Sequence, residues 1–138
     1  MLQRTINKRP EDTMDEAIQR ALSRGHTIDI TTTGRRSGLP RRIELVFHNF
    51  DGRLFLSGVP SHRKRSWIAN MEADPNFTFH LKGPGASADL PATARVITDE
   101  SERRAIMPLV ANAWGRRDLE AMVANSPLAE VSLADQAA

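Results

Sequence analysis

The strongest constraint on how this chain folds is a change of hydrophobic period. From residue 26 to residue 97, apolar side chains recur mostly at every second position, in runs separated by short polar turns. Ile28, Ile30 and Thr32 alternate with Thr27, Asp29 and Thr31, which predicts a β-branched strand over 26–33. Ile43, Leu45 and Phe47 share one face of a second strand over 41–48, opposite Arg42, Glu44, Val46 and His48. Asn49-Phe50-Asp51-Gly52 reads as a hairpin turn, because Asp-Gly tolerates positive φ. Further strands are expected over 53–58, 76–82 and 88–97, with a last one over 128–133. Runs of strands with few crossover helices predict an antiparallel sheet that closes on itself. The fold class is therefore α+β, a barrel rather than a parallel α/β sheet.

Helical periodicity flanks and interrupts these runs. Met14, Ala17, Ile18, Ala21 and Leu22 form an i, i+3, i+4, i+7, i+8 stripe, predicting a helix over 14–24. Thr13 and Glu16 make a capping box at its start, and Gly25 sits where a left-handed C-cap belongs. Ser61 is expected to cap a short helix reaching Ala73, Asp99 and Glu102 to open a helix running towards Trp114 that is kinked or interrupted at Pro108, and a last short helix to cover 117–124. With 138 residues and no repeat or linker, residues 1–138 are expected to form one domain around the 26–97 barrel.

Composition narrows the chemistry by exclusion. The chain has no cysteine, which removes disulfides, thiolate metal sites and cysteine nucleophiles. It shows no secretory h-region and no apolar run near the ~20 residues that span a bilayer. A soluble, cytoplasmic protein is the expectation. His26, His48, His62 and His80 show no i, i+4 pair, so strand histidines rather than metal ligands are expected, and the metal set is none. Walker A, G-x-S-x-G and G-x-G-x-x-G motifs are all missing.

Arginine is the informative residue, supplying 16 of the 19 basic side chains at a formal charge of only +2. Much of that excess fits the codon bias of a GC-rich genome, but its distribution carries information. Arg35, Arg36, Arg41 and Arg42 crowd the first hairpin, and His62, Arg63, Lys64 and Arg65 open the short helix. Two basic loops, one over a helix start, suit an anionic ligand. No aromatic residue lies between Gly34 and Arg42, so a nucleic-acid surface is not expected.

Thr31-Thr32-Thr33-Gly34-Arg35-Arg36-Ser37-Gly38-Leu39-Pro40-Arg41 resembles the T-T-x-G-R-[KR]-[ST]-G-x-P-R signature of the deazaflavin-dependent nitroreductase family. Asp51-Gly52-Arg53-Leu54-Phe55-Leu56-Ser57 and then Trp67, Asn70, Ala73 and Pro75 resemble that family's next two blocks, in register. The resemblance implies a split β-barrel of the flavin-reductase and pyridoxamine-phosphate-oxidase type, and the coenzyme F-420, an 8-hydroxy-5-deazaflavin, with FMN as the alternative. It implies Arg35, Arg36, Ser37 and Arg41 as phosphate and tail contacts, with Arg42 and Lys64 in the same basic loops. Leu45, Val46, Ser57 and Gly58 are implied as strand positions beside the ring, and Ser66, Trp67 and Asn70 as the closing helix. Ser57 is the implied hydrogen-bond donor in catalysis.

The sequence departs from many relatives at Glu44, Val59-Pro60-Ser61, Arg65-Ser66 and Ile68, and it has no tyrosine. The activity implied is hydride transfer from reduced F-420 to a small electrophilic acceptor (a quinone, enone or nitroaromatic). The implied partners are that acceptor, a separate deazaflavin-reducing dehydrogenase and a second copy in a homodimer. An FMN-binding reductase and a non-catalytic carrier of the deazaflavin or a similar amphipathic anion stand as the other readings.

Overall fold

The computed structural model describes residues 16–83 and 86–134. Met14 and the Thr13 cap lie outside them, as does part of the Gly83-Pro84-Gly85 turn. The described part of the first helix, α1 (Glu16–Arg24), buries Ala21 and Leu22 on its predicted stripe. It ends at Gly25, whose φ of +63° is the left-handed cap conformation. Then come β1 (Thr27–Thr33), β2 (Pro40–Phe50) and β3 (Arg53–Ser57). Asp51 and Gly52 both take positive φ between the last two, as a tight hairpin requires. Helix α2 (Ser66–Ala73), β4 (Asn76–Leu81), β5 (Ala88–Val96), α3 (Glu100–Trp114), α4 (Leu119–Asn125) and β6 (Leu128–Leu133) complete the order.

Two expectations about helices change. Helix α2 starts at Ser66, not Ser61. The Ser61 hydroxyl accepts from the Arg63 N–H at 3.2 Å, closing a local turn instead of capping a helix. Helix α3 runs unbroken through Pro108, which stands on its solvent side. Its start is as expected, with the Asp99 carboxylate accepting from the Glu102 N–H at 2.9 Å.

The six strands of the described residues pair antiparallel in a closed barrel of order β1-β2-β3-β6-β5-β4. The last strand slots between the third and the fifth, so α3 and α4 carry the chain back to close the sheet. Inward residues alternate along each strand: Ile28 and Ile30, Phe47, Leu54 and Leu56, Phe79, Leu90, Val131. Helix α2 covers one mouth of the barrel with Trp67, Ile68 and Met71. A second core lies outside the barrel wall, where Phe55 points outward from β3 to meet Ile106, Met107, Val110 and Met122 of α3 and α4. Strand β3 is thus buried on both faces. No described helix is long and apolar enough to cross a membrane.

His48 sits on the outer face of β2, 6% exposed, stacked on Phe50 at 5.5 Å and edge-on to Trp114 at 5.0 Å. Its Nε2 is buried without a partner among the described residues, and burial holds its pKa below the usual histidine value. As pH falls through about 6.5, the unfolded chain takes up a proton that the folded chain resists, so stability drops on the acid side. We expect the melting temperature to fall between about pH 7.5 and about pH 5 more steeply in wild type than in His48→Phe. Parallel pH profiles for the two proteins would remove His48 as the source.

Candidate functional site

Strand β1 pairs with β2 along its whole length, from Thr27↔Val46 to Thr33↔Pro40, but with β4 only at Asp29, Ile30 and Thr31. The end of the hairpin, from Thr32 through the turn to Arg41, is therefore a two-stranded arm without a β4 partner. Its tip is closed by the Gly34 N–H to the Leu39 carbonyl and the Gly38 N–H to the Gly34 carbonyl, both 2.8 Å. The Ser37 hydroxyl accepts from the Leu39 N–H at 3.1 Å. Gly34 is required for space, since a Cβ there would lie 2.7 Å from Ser37 Oγ and 3.1 Å from the Leu39 carbonyl oxygen. The tight tip displays Arg35 and Arg36, and Arg41 follows on β2.

One buried side chain ties this arm to α2. Asn70, 3% exposed, accepts at Oδ1 from both the backbone N–H and the guanidinium Nη1 of Arg35, each at 3.1 Å. Its Nδ2 donates to Thr32 Oγ1 at 3.0 Å. Both ends of the amide are satisfied, and arm and helix become one body.

Between them lies a cleft of about 420 Å³, bordered by Thr32, Gly34, Arg35, Arg36, Ser37, Arg41, Ile43, Ser66, Trp67 and Asn70. No carboxylate borders it among the described residues. The side chains of Arg36 and Arg41 have no ion-pair or hydrogen-bond partner among the described residues either, whereas Arg53, Arg95, Arg104 and Arg116 are each paired with acids. Helix α2 opens onto the cleft without a side-chain cap, Arg65 standing at its N-cap position. Its first N–H groups and its dipole add to the positive field. Ile43 and Trp67 supply an apolar wall. The cleft suits a ligand with an anionic part beside an apolar one.

The structure gathers Arg35, Arg36, Ser37, Arg41, Ser66, Trp67 and Asn70 as the sequence led us to expect. It places the other expected residues elsewhere. Arg42 turns to the outer face and donates to Asp29 at 2.9 Å, and Lys82 with Arg42 holds that carboxyl below its usual pKa. Leu45 packs against the barrel interior, and Val46, the next residue, must face the opposite way. Gly58 lies against the Pro127 ring, and Lys64 pairs with Glu72 at 2.7 Å. Ser57 is buried and its hydroxyl donates to the Pro127 carbonyl at 2.7 Å. The hydrogen bond expected from Ser57 to a ligand is not available in this arrangement, because its proton is already committed. Thr32, Gly34 and Ile43 were missed as cleft residues. The first two stand within the Thr31–Arg41 signature, and Ile43 shares the inward phase of Leu45 and Phe47.

No three His, Asp or Glu side chains among the described residues come together as a metal site. His80 links the Thr31 hydroxyl at 2.6 Å to the Asp89 carboxylate at 2.8 Å on the outer face, one strand removed from β2 and His48.

Residues 3–129 match the family model described as F420H(2)-dependent quinone reductase. Among solved structures, the chain is similar to an F420-H2 dependent reductase, FDR-A, at 24% identity over 77% of this chain and 93% of that one, with a TM-score of 0.54. It is similar to a conserved hypothetical protein from Mycobacterium tuberculosis at 16% identity over 93% and 86%, TM-score 0.68. A FAD-binding protein from Mesorhizobium loti is similar at 12% identity over 88% and 90%, TM-score 0.57. At these identities the structures establish the fold, a split β-barrel. No curated protein matches this sequence.

Replacing Asn70 by Ala strands the Thr32 hydroxyl and frees Arg35. A buried group left unpaired costs about 1–3 kcal/mol, so Asn70→Ala is expected to lose about that much in urea unfolding. A change below about 0.5 kcal/mol would show that strand pairing alone holds the arm.

Proposed function

Because the chain belongs to the F420H(2)-dependent quinone reductase family, we propose that its cleft grips the anionic portion of the deazaflavin coenzyme and that its acceptor is a quinone. The family makes the protein an oxidoreductase and F-420 its cofactor. One observation carries the placement: Arg36 and Arg41, without acidic partners among the described residues, face a cleft that no described carboxylate borders, beside an uncapped helix N-terminus. That donor set fits a phosphodiester and a run of glutamates, which need fixed positive charge and N–H donors.

When bound, the reduced deazaflavin supplies a hydride. The protein's own part is to bind, orient and exclude water. Arg36 and Arg41 attract the anion, and Arg35, held by Asn70, presents its remaining guanidinium N–H groups in a fixed direction. Ile43 and Trp67 form the wall that keeps water from an apolar ring. The cleft hydroxyls with a proton to give toward an acceptor oxygen are those of Ser37, Ser66 and Thr32, the last of which only accepts from Asn70. A separate deazaflavin-reducing dehydrogenase would be the partner that keeps the coenzyme supplied in its reduced form.

The basic cleft sets the first test. The double variant Arg35→Ala, Arg41→Ala is expected to bind the deazaflavin well over tenfold more weakly, since each charge-assisted hydrogen bond contributes about 1.5–3 kcal/mol. Added salt is expected to weaken wild-type binding, because these contacts are exposed. Calorimetric titration with the deazaflavin and with FMN checks both points. Undiminished affinity in the variant would dismiss the cleft, and preferential FMN binding would move the protein to the flavin reading.

The acceptor sets the second. Without tyrosine, the chain has few side chains able to hold a nitro group, and misplacement by ~1 Å can cost about 10²-fold. We expect reduction of menadione by the reduced deazaflavin and little turnover of bicyclic nitroimidazoles, in steady-state assays on one enzyme stock. Efficient nitroimidazole turnover would refute the acceptor argument, and tight binding without any turnover would favour a carrier.

A further inference from the structure

Strands β1 and β4 part company before either ends. Their pairing stops at Thr31↔Thr78, although β1 runs on to Thr33 and β4 begins at Asn76. The fork between them opens a groove of about 290 Å³, bordered by residues of both strands together with Gly38, Pro40 and Asp74. Of the residues that border the coenzyme cleft, only Thr32 also borders this groove. Thr31 stands on its border and is only partly buried.

Behind Thr31 three side chains stand in series. Thr31 Oγ1 lies 2.6 Å from His80 Nε2, and His80 Nδ1 lies 2.8 Å from Asp89 Oδ1. The hydrogen bond from His80 holds the Asp89 carboxyl below its usual range, so this carboxylate is ionised and only accepts. In the neutral ring Nδ1 therefore carries the proton, Nε2 accepts, and the Thr31 hydroxyl donates to it. His80 is 7% exposed, which fixes the ring, and β-branched Thr31 has a stiff χ1. A hydroxyl, a base and an orienting carboxylate in this order activate an oxygen nucleophile. The backbone adds a donor. The Gly34 N–H bonds to Leu39 on the β2 side, so by alternation the Thr33 N–H faces the edge that β4 has left. Strand pairing gives it no partner there.

We propose that Thr31, His80 and Asp89 form a second active site, separate from the coenzyme cleft, which hydrolyses small esters that carry no negative charge. Thr31 Oγ1 attacks the ester carbonyl carbon as its proton passes to His80 Nε2, and the Thr33 N–H donates to the oxyanion. The intermediate collapses, the ester C–O bond breaks, and the departing alcohol takes the proton from Nε2. Water then attacks the acyl group on Thr31, giving its proton to Nε2, and the acid leaves as Thr31 regains its hydrogen. Asp89 acts only by positioning His80. The Asp74 carboxylate, on the groove's border and held by the Asn76 N–H at 3.0 Å, repels anionic substrates. This goes beyond the coenzyme reading and does not depend on it.

The test uses the full chain without coenzyme. The protein is incubated with p-nitrophenyl acetate, nitrophenolate release is followed, and samples quenched in acid during turnover are mapped by peptide mass spectrometry. We expect hydrolysis above the rate in buffer, and an acetyl group on Thr31. Thr31→Val and His80→Gln are each expected to lower the catalysed rate by about 10²-fold or more, the worth of a general base, while Thr31→Ser keeps it. Asp89→Asn is expected to lower kcat with KM unchanged, as a positioning role requires. The anionic ester p-nitrophenyl hemisuccinate is expected to react more slowly than the acetate, and an equal or faster rate would overturn the charge preference. Hydrolysis no faster than in buffer, acetyl groups confined to other residues, or undiminished rates in Thr31→Val and His80→Gln would overturn the proposal. The mapping on wild-type protein decides the matter even where a variant fails to fold.

Discussion

The amide of Asn70 joins two parts of the molecule that strand pairing leaves separate. Beyond Thr31 the β1–β2 arm has lost its β4 neighbour, and a two-stranded ribbon by itself is marginally stable in water. Asn70 supplies the missing lateral support by accepting twice from Arg35 and donating to Thr32. A buried amide with every bond made is favourable, and with one bond broken it is costly, so the arm has one strongly preferred position over α2. The cleft, its arginines and the helix N-terminus all derive their relative geometry from that position.

The barrel explains why α2 can serve as an anchor. Its inward residues, Trp67, Ile68 and Met71, join the interior core at the barrel mouth, so the helix cannot shift without disturbing that packing. On the other side, Phe55 and the outer core hold α3 and α4 to the wall and bring β6 back to close the sheet. Closure removes the open edges that a meander would otherwise present. What rises beyond that rigid body is the arm, and the arm carries the charge.

Arginine serves two purposes here, and they are separated in space. Around the outer wall, Arg53 and Arg95 share Glu130, Arg95 also reaches Glu102, and Arg104 bridges Glu100 and Glu120. Such exposed pairs contribute little to stability one by one, but they neutralise one another's field. In the cleft no acid stands among the described residues, and the positive potential of Arg36 and Arg41 is not cancelled there. A formal charge of only +2 hides this, because the sum says nothing of which cations are cancelled.

The sequence by itself determined the strands, their inward faces, the polar Gly34–Gly38 tip and a last strand over 128–133, because these follow from local rules of period two and turn chemistry. It also marked Arg35, Arg41, Trp67 and Asn70, through a resemblance carried on short motifs. It misplaced the start of α2, since a serine hydroxyl near a helix closes a turn as readily as it caps one. It also grouped Arg42, Val46 and Ser57 with the ligand. Only the tertiary structure decided that Arg42 belongs to Asp29, that Ser57 gives its proton to Pro127, and that Asn70 grips the arm from the other side of the barrel mouth. Those outcomes join residues 13 to 70 positions apart. Whether a polar side chain is satisfied, cancelled or free depends on neighbours across space, and hydrophobic period and local turn chemistry do not specify them.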